Sequence, residues 1–174
     1  MAIFSKLDWR RFDTHTIVEH RGIGCVESSQ QKSCRAWLEK NKYKITTIDF
    51  QDGIENGLRG LENLLGWPEN WALSPESQNL DALRDDFAIL LKSEHDLVIE
   101  ILNAEYGYKQ SQHFFCGLLG ILAEYSLKQL ALGRRFFCYL VVEKNSKLVG
   151  VKYQDLSIPG PFWTVAKNKG PFEI

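Results

Sequence analysis

A nearly continuous apolar run, LVIEIL at residues 97–102, predicts a β-strand that is covered on both faces. Such strands are typical of parallel sheets, in which helical crossovers lie over the two faces. Two further segments share this character: residues 43–50 are rich in β-branched and aromatic side chains, and residues 136–142 are almost wholly apolar. We therefore expect an α/β fold with a mainly parallel three-stranded sheet over 43–50, 97–102 and 136–142, covered by helices.

The segments between these strands have the apolar spacing of amphipathic helices. One helix is expected over 54–65, with Asp52 as its N-terminal cap and Glu55 in the capping-box position three residues later. A long helix is expected from about 111 to 132, with Gly133 as its C-terminal cap.

The two ends of the chain give less regular patterns. Short strands are predicted at Thr16–Glu19 and at 23–26, and a short helix at 33–40. Near the C-terminus, residues 148–153 and 162–165 are strand candidates, and they predict a hairpin at the edge of the sheet.

The amino-acid composition is typical of a globular protein and argues against a nucleic-acid-binding or membrane-spanning protein. The 174 residues are 44% hydrophobic and 25% charged, as in globular proteins, and the net charge of −1 gives no general basic field for nucleic acid. No run approaches the roughly 20 apolar residues of a membrane span, and no secretory signal is recognised at residues 1–8. The cysteines lack the spacing of a zinc or redox site, so we expect reduced thiols and a cytoplasmic protein: Cys25, Cys34, Cys116 and Cys138.

The segment NLDALRDD, residues 79–86, predicts an amphipathic helix with an acidic face. Leu80, Leu83 and Phe87 form its apolar stripe, whereas Asp81 and Asp85 are four residues apart and therefore neighbours on another face. Two carboxylates at that spacing destabilise a helix by a few tenths of a kcal/mol, roughly, and a positively charged partner would offset this cost. The alternative interpretation is an ordinary solvated face.

Acidic residues are concentrated around this helix. Residues 62–86 contain six acids and one base, in a chain whose net charge is −1. Such a concentration attracts a basic partner and accelerates association. A tryptophan beside an acidic patch, here Trp67 or Trp71, is a common interface hot spot, although it also suits a core anchor. The six acids are Glu62, Glu69, Glu76, Asp81, Asp85 and Asp86.

Two other functions fit parts of the pattern. Asp81 and Asp85 could hold Mg²⁺ in a metal-dependent hydrolase, because this ion prefers oxygen ligands. A plain protein-interaction module is the third possibility. The histidines define no motif: His15 and His20 fall in a predicted strand or turn, and no Ser or Cys nucleophile stands in a recognisable elbow.

The order of these elements, with NLDAL at 79–83 after a Pro-containing loop, resembles the barstar family of cytosolic inhibitors of secreted bacterial ribonuclease. The resemblance covers about 43–143. It is carried by IDF at the end of the first strand, the Leu-rich helix, the Pro68-Glu69 pair, the acidic block, the apolar strand and the helix–Gly–strand finish around Gly133. It implies a single domain at 1–174, with a barstar-like core at 43–143 and additions at 1–42 and 144–174.

In that family, two aspartates four residues apart enter the phosphate-binding active site of the ribonuclease, and Asp81 and Asp85 match them. The loop before the helix is longer here and lacks the family's Gly, and Lys128 occupies the approximate position of an inhibitory Glu. These departures imply a relative directed at a different toxin.

The resemblance thus implies a stoichiometric inhibitor, or immunity protein, that blocks the active site of a bacterial toxin, most simply a ribonuclease. It implies neither catalysis nor a cofactor or metal, and its partner is a toxin with a basic active site, not nucleic acid or a membrane. The expected partner-binding residues are Asp81, Asp85, Asp86, Trp71, Glu76 and Glu69.

Overall fold

The protein contains a four-stranded sheet in which every pair of neighbours is parallel. The computed structural model describes residues 11–67, 79–93 and 96–162. The strand order is β1-β4-β3-β2, and the predicted parallel pairing of the three central segments is confirmed. The predicted strand count was one too low, because the segment predicted at 23–26 joins the same sheet beside β4. The strands are β1 (Ile23–Glu27), β2 (Lys44–Asp49), β3 (Leu97–Leu102) and β4 (Phe136–Val142).

Helices cover both faces of this sheet. One core lies between the sheet and α3 to α6, and a second lies on the opposite face, where α1 and α2 pack. Ile99 and Ile101 belong to the first core and Val98 to the second, because successive side chains of a strand point to opposite faces. The helices are α1 (Phe12–Thr14), α2 (Gln31–Lys40), α3 (Ile54–Leu65), α4 (Leu80–Ser93), α5 (Ala104–Gln110) and α6 (Gln112–Ala131).

The single charged residue of β3, Glu100, is completely buried on the α2 side of the sheet. Its Oε1 accepts hydrogen bonds from Tyr139 Oη at 2.7 Å and Gln31 Nε2 at 3.0 Å. Its Oε2 accepts from Thr47 Oγ1 at 2.8 Å and pairs with the Arg35 guanidinium. These partners satisfy the buried charge and connect α2 to the centre of the sheet.

The strand predicted at Thr16–Glu19 is wrong, since α1 continues there as a π-helical turn, His15–Glu19. Its β-branched residues favour a strand locally. However, Phe12 and Ile17 pack into the core of the α2 face, and this burial fixes the helical winding.

The predicted capping box of α3 is also wrong. Gly53 is the N-cap residue, and its φ of +106° is a conformation that favours glycine. The backbone N–H of Ile54 donates to Gln110 Oε1, a residue of α5, while Asp52 accepts a hydrogen bond from Asn56 at 3.0 Å. The cap therefore comes from a helix that the sequence pattern did not identify.

The long predicted helix is confirmed as α6, with Ser111 accepting from the N–H of Phe114 at 3.3 Å. The observed C-terminal hairpin differs from the prediction of strands at 148–153 and 162–165 at the sheet edge. It pairs β5 (Lys152–Tyr153) with β6 (Leu156–Ser157) in a separate two-stranded sheet. Tyr153 of β5 is buried in the core to which α6 contributes, and this packing holds the hairpin against that helix. The strand predicted at 162–165 falls almost wholly outside the described residues.

A candidate partner-binding surface on the acidic helix

The predicted apolar stripe of α4 attaches this helix to the body of the protein. Leu83, Phe87 and Leu91 are fully buried, and Leu80 is partly buried against the core. At its start, Asn79 Oδ1 accepts a hydrogen bond from the N–H of Ala82 at 3.0 Å, as an N-terminal cap does. The helix is therefore fixed in orientation, and its outward face is rigid.

That outward face carries Asp81, Asp85 and Ile89, which we call the acidic face. The three residues follow at intervals of four and so share one side of the helix. The Asp81 side chain is 93% exposed and Ile89 is 63% exposed, and Asp85 is exposed as well. Within the described parts of the chain, no side chain forms an ion pair or hydrogen bond with Asp85. The acidic face thus offers one unpaired carboxylate beside an exposed apolar side chain.

Asp86 points elsewhere. Adjacent helical residues diverge by about 100°, and the Asp86 carboxylate accepts a hydrogen bond from the indole N–H of Trp67. Trp67 follows the end of α3, where Gly66 adopts a φ of +69°. Asp86 consequently fixes the position of an indole ring and does not extend the acidic face.

Helix α6 adds charges that the sequence pattern did not connect with α4. Arg84 lies between two carboxylates, with Nη1 3.4 Å from Asp81 Oδ1 and Nε 3.3 Å from Glu124 Oε2. Lys128 donates to Glu124 Oε1 at 2.6 Å. This hydrogen bond, together with the charge of Arg84, holds the pKa of Glu124 below its ordinary value. Lys128 is therefore paired with a carboxylate of its own helix.

The other acids of residues 62–86 add no described carboxylate to this face. The side chain of Glu62 in α3 is only 8% exposed, so this acid is buried and does not contribute to an acidic surface. Glu69, Trp71 and Glu76 lie in 68–78, outside the described residues. Of the predicted partner-binding residues, Asp81 and Asp85 are thus the pair that the structure brings together on one face.

The geometry gives no support to a magnesium site at this pair. Within the described ranges, no group of three or more His, Cys, Asp and Glu side chains could hold a metal ion. In addition, the Arg84 guanidinium occupies the position beside Asp81 where a cation would have to bind.

Comparison of the chain with models of protein families, with curated proteins and with solved structures gives no match. Among the helices of residues 11–67, 79–93 and 96–162, none has both the length and the apolar character needed to cross a membrane. The acidic face and the elements that hold it are therefore the features of this chain that bear on its function.

Proposed function

We propose that this chain is a barstar-like inhibitor, an immunity protein that binds a bacterial toxin stoichiometrically and blocks its basic active site. A ribonuclease is the toxin that best suits the chemistry, and the cytoplasm of the producing cell is the place of action. The observation that carries the proposal is the exposed Asp81 and Asp85 pair, one turn apart on a helix fixed by Leu83 and Phe87.

The acidic face suits a site that binds RNA phosphates. Such a site is lined with cations, and two carboxylates at a fixed spacing offer it the charge that phosphates would supply. Asp85 has no ion-pair partner among the described residues, so binding requires no internal pair of Asp85 to open. Arg84 is paired with Asp81 and Glu124, which reduces its repulsion toward a basic partner.

Rigidity and apolar contact add to this charge. Because α4 is packed by its buried stripe, the backbone positions of Asp81 and Asp85 are already fixed and little backbone entropy is lost on binding. Ile89 provides exposed apolar surface on the same face. Trp67, held by Asp86, places an indole beside the helix, and tryptophan is enriched among binding hot spots. Glu69, Trp71 and Glu76 remain proposed contacts from the segment that precedes α4.

The test uses a ribonuclease encoded beside the gene for this chain. RNA hydrolysis by the purified ribonuclease is measured while the chain is added at increasing molar ratio, and we expect complete inhibition near one chain per enzyme. The double variant Asp81→Asn/Asp85→Asn should require a large excess, because it removes both charges and retains the side-chain shape. Glu39→Gln is the matched control, since Glu39 is exposed on α2, which packs on the opposite face of the sheet.

Inhibition by the double variant at the same ratio as the wild type would contradict the proposed surface. RNA hydrolysis by the chain itself in the presence of Mg²⁺, lost in the double variant, would instead support the metal-dependent hydrolase.

A further inference from the structure

The π-helical turn at His15–Glu19 brings together two histidines that the sequence leaves unrelated. Residues five apart are separated by about 140° around an α-helix. A π-helical turn is wound more widely than an α-helix, and His20 follows this turn as its C-cap residue, with a φ of −120° and a ψ of 19°. His15 and His20 accordingly lie together, with 3.2 Å between their Nε2 atoms. π-Helical turns are rare and occur frequently at functional sites.

The position of the two rings fits a shared metal ion. With metal–nitrogen distances of about 2.05 Å, a separation of 3.2 Å between the nitrogens corresponds to an N–metal–N angle of about 100°, close to tetrahedral. We propose that His15 and His20 form a binding site for a divalent transition-metal ion of the zinc type, bound through both Nε2 atoms.

Ring geometry distinguishes this site from a simple hydrogen bond between the imidazoles. Because each ring centroid lies about 1.1 Å behind its nitrogen, two rings that converge on one ion have centroids about 5.0 Å apart, whereas a linear N–H···N bond of this length gives about 5.5 Å. The observed centroids are 4.8 Å apart, with the ring planes at 83°. The observed distance is closer to the value for two ligands of one ion than to the value for a linear hydrogen bond.

The surroundings hold the pair in place. The turn is anchored by the buried Phe12 and Ile17, and the ring of Phe162 lies against His15 with centroids 5.0 Å apart.

The protein supplies two ligands at this site. Among the described residues, no third His, Cys, Asp or Glu completes a cluster around the two rings. His15 and His20 are thus the two ligands that the described residues supply. Imidazole is a preferred ligand of Zn²⁺, Cu²⁺ and Ni²⁺, so these ions, and not Mg²⁺ or Ca²⁺, define the chemical class of the ligand.

The experiment is a calorimetric titration of the full chain with ZnCl₂ at pH 7.5. We expect one ion bound per chain by the wild type. His15→Asn and His20→Asn should each weaken zinc binding at least about tenfold. Loss of a residue that only supports a metal ligand typically weakens binding about 10–100-fold, and loss of a ligand itself should cost no less. The exposed His113, at the start of α6, provides the control: His113→Asn should bind as the wild type does. Circular dichroism of each variant checks that the fold is retained.

A second readout uses the unmodified chain. In ¹⁵N-labelled protein, addition of Zn²⁺ should shift the Nε2 resonances of His15 and His20 together. Zinc affinity that is unchanged in both Asn variants, zinc-induced shifts confined to other residues, or no binding by the wild type at millimolar zinc would each overturn the site.

Discussion

At the residue scale, the two aspartates of the acidic face are unequal. Asp81 is paired with Arg84 at 3.4 Å, whereas Asp85 has no ion-pair partner in the described ranges. A bound toxin would therefore find in Asp85 a carboxylate that is fully available. Ile89 lies one turn further along the same face, where it would be covered by the same partner.

We expect Asp85→Ala to weaken binding of the toxin by about 2–5 kcal/mol, because truncation leaves cations of the partner unpaired at a desolvated centre. Asp81→Ala should weaken binding in the same direction. Dissociation constants from surface plasmon resonance, measured for each variant against the same ribonuclease, provide the comparison.

The control for these variants must be an exposed acid away from the acidic face. Glu62 is unsuitable because it is buried, and its replacement would disturb α3. Glu39→Ala is suitable and should leave the affinity unchanged. An affinity of wild-type strength in the Asp81→Ala/Asp85→Ala double variant would mean that another surface binds the toxin.

The four free cysteines should differ sharply in reactivity. Burial raises the pKa of Cys25 to about 12 and also raises the pKa of Cys34 and Cys138, so these thiols are protonated and inaccessible in the native protein. Cys116 is partly exposed, with Sγ donating to the carbonyl of Lys152 at 3.5 Å. We expect Ellman's reagent at pH 8 to modify one thiol per native chain and four in guanidinium chloride.

The variant Cys116→Ser identifies the reactive thiol. It should abolish the prompt native-state reaction and leave three thiols after unfolding. A prompt reaction that persists in this variant would show that one of the other three thiols is accessible.

At the element scale, α3 contains two glycines that sit in different surroundings. A Cβ at Gly57 would lie 2.0 Å from an atom of the Phe50 ring, whereas a Cβ at Gly60 would make ordinary contact with Ile48 at 3.4 Å. Gly60→Ala should therefore stabilise the protein by up to about 1 kcal/mol through its higher helix propensity. Gly57→Ala should destabilise it by roughly 1–3 kcal/mol through overpacking.

Urea unfolding of both variants tests this difference between positions one turn apart. Propensity alone would predict stabilisation by both substitutions. Equal shifts of the two unfolding midpoints would show that the contact between Gly57 and Phe50 does not limit packing.

The attachment of α2 to the sheet depends on Glu100. Glu100→Ala would leave Arg35 without its pair, and the hydroxyl groups of Tyr139 and Thr47 without their acceptor. We expect a loss of roughly 1–3 kcal/mol in the free energy of unfolding, because the buried hydroxyl group of Tyr139 loses its acceptor, whereas the partly exposed Arg35 can be solvated. Glu39→Ala should remain within about 0.5 kcal/mol of the wild type, as is usual for surface substitutions. If Glu100→Ala also changed the free energy of unfolding by no more than about 0.5 kcal/mol, the buried network would contribute little net stability.

At the scale of the whole molecule, charge is distributed unevenly although its net value is only −1. If the acidic face attracts a basic toxin, association should slow as salt rises, because the screening length falls from about 10 Å at 0.1 M to about 3 Å at 1 M. Stopped-flow association rates across this range, with the Asp81→Asn/Asp85→Asn variant as the comparison, measure the effect. A salt dependence equally steep in that variant would place the steering charge elsewhere.

Local sequence patterns were sufficient for several elements of this fold. The apolar runs at 97–102 and 136–142 predicted buried parallel strands, because helices over both faces of a strand favour apolar side chains at successive positions. Glu100 is the exception, and its buried carboxylate is satisfied by hydrogen bonds. The spacing in 79–91 predicted that Leu83 and Phe87 are buried and that Asp81 and Asp85 are exposed, because 3.6 residues per turn fixes the faces of a helix. Leu80, predicted to be buried as well, is only partly buried.

Only the tertiary structure decided the features that depend on contacts between distant segments. Pairing with β4 places β1 in the sheet, and Gln110 replaces the local cap of α3. Asp86 accepts a hydrogen bond from Trp67, a residue 19 positions earlier in the chain. The ion pair between Arg84 and Glu124, and the contact between His15 and His20 at the π-helical turn, also depend on the tertiary structure. Each of these features forms because burial of an apolar group or a long-range hydrogen bond outweighs local conformational preferences of roughly a few tenths of a kcal/mol. The energies of burial and of long-range hydrogen bonds are defined only once the chain is folded.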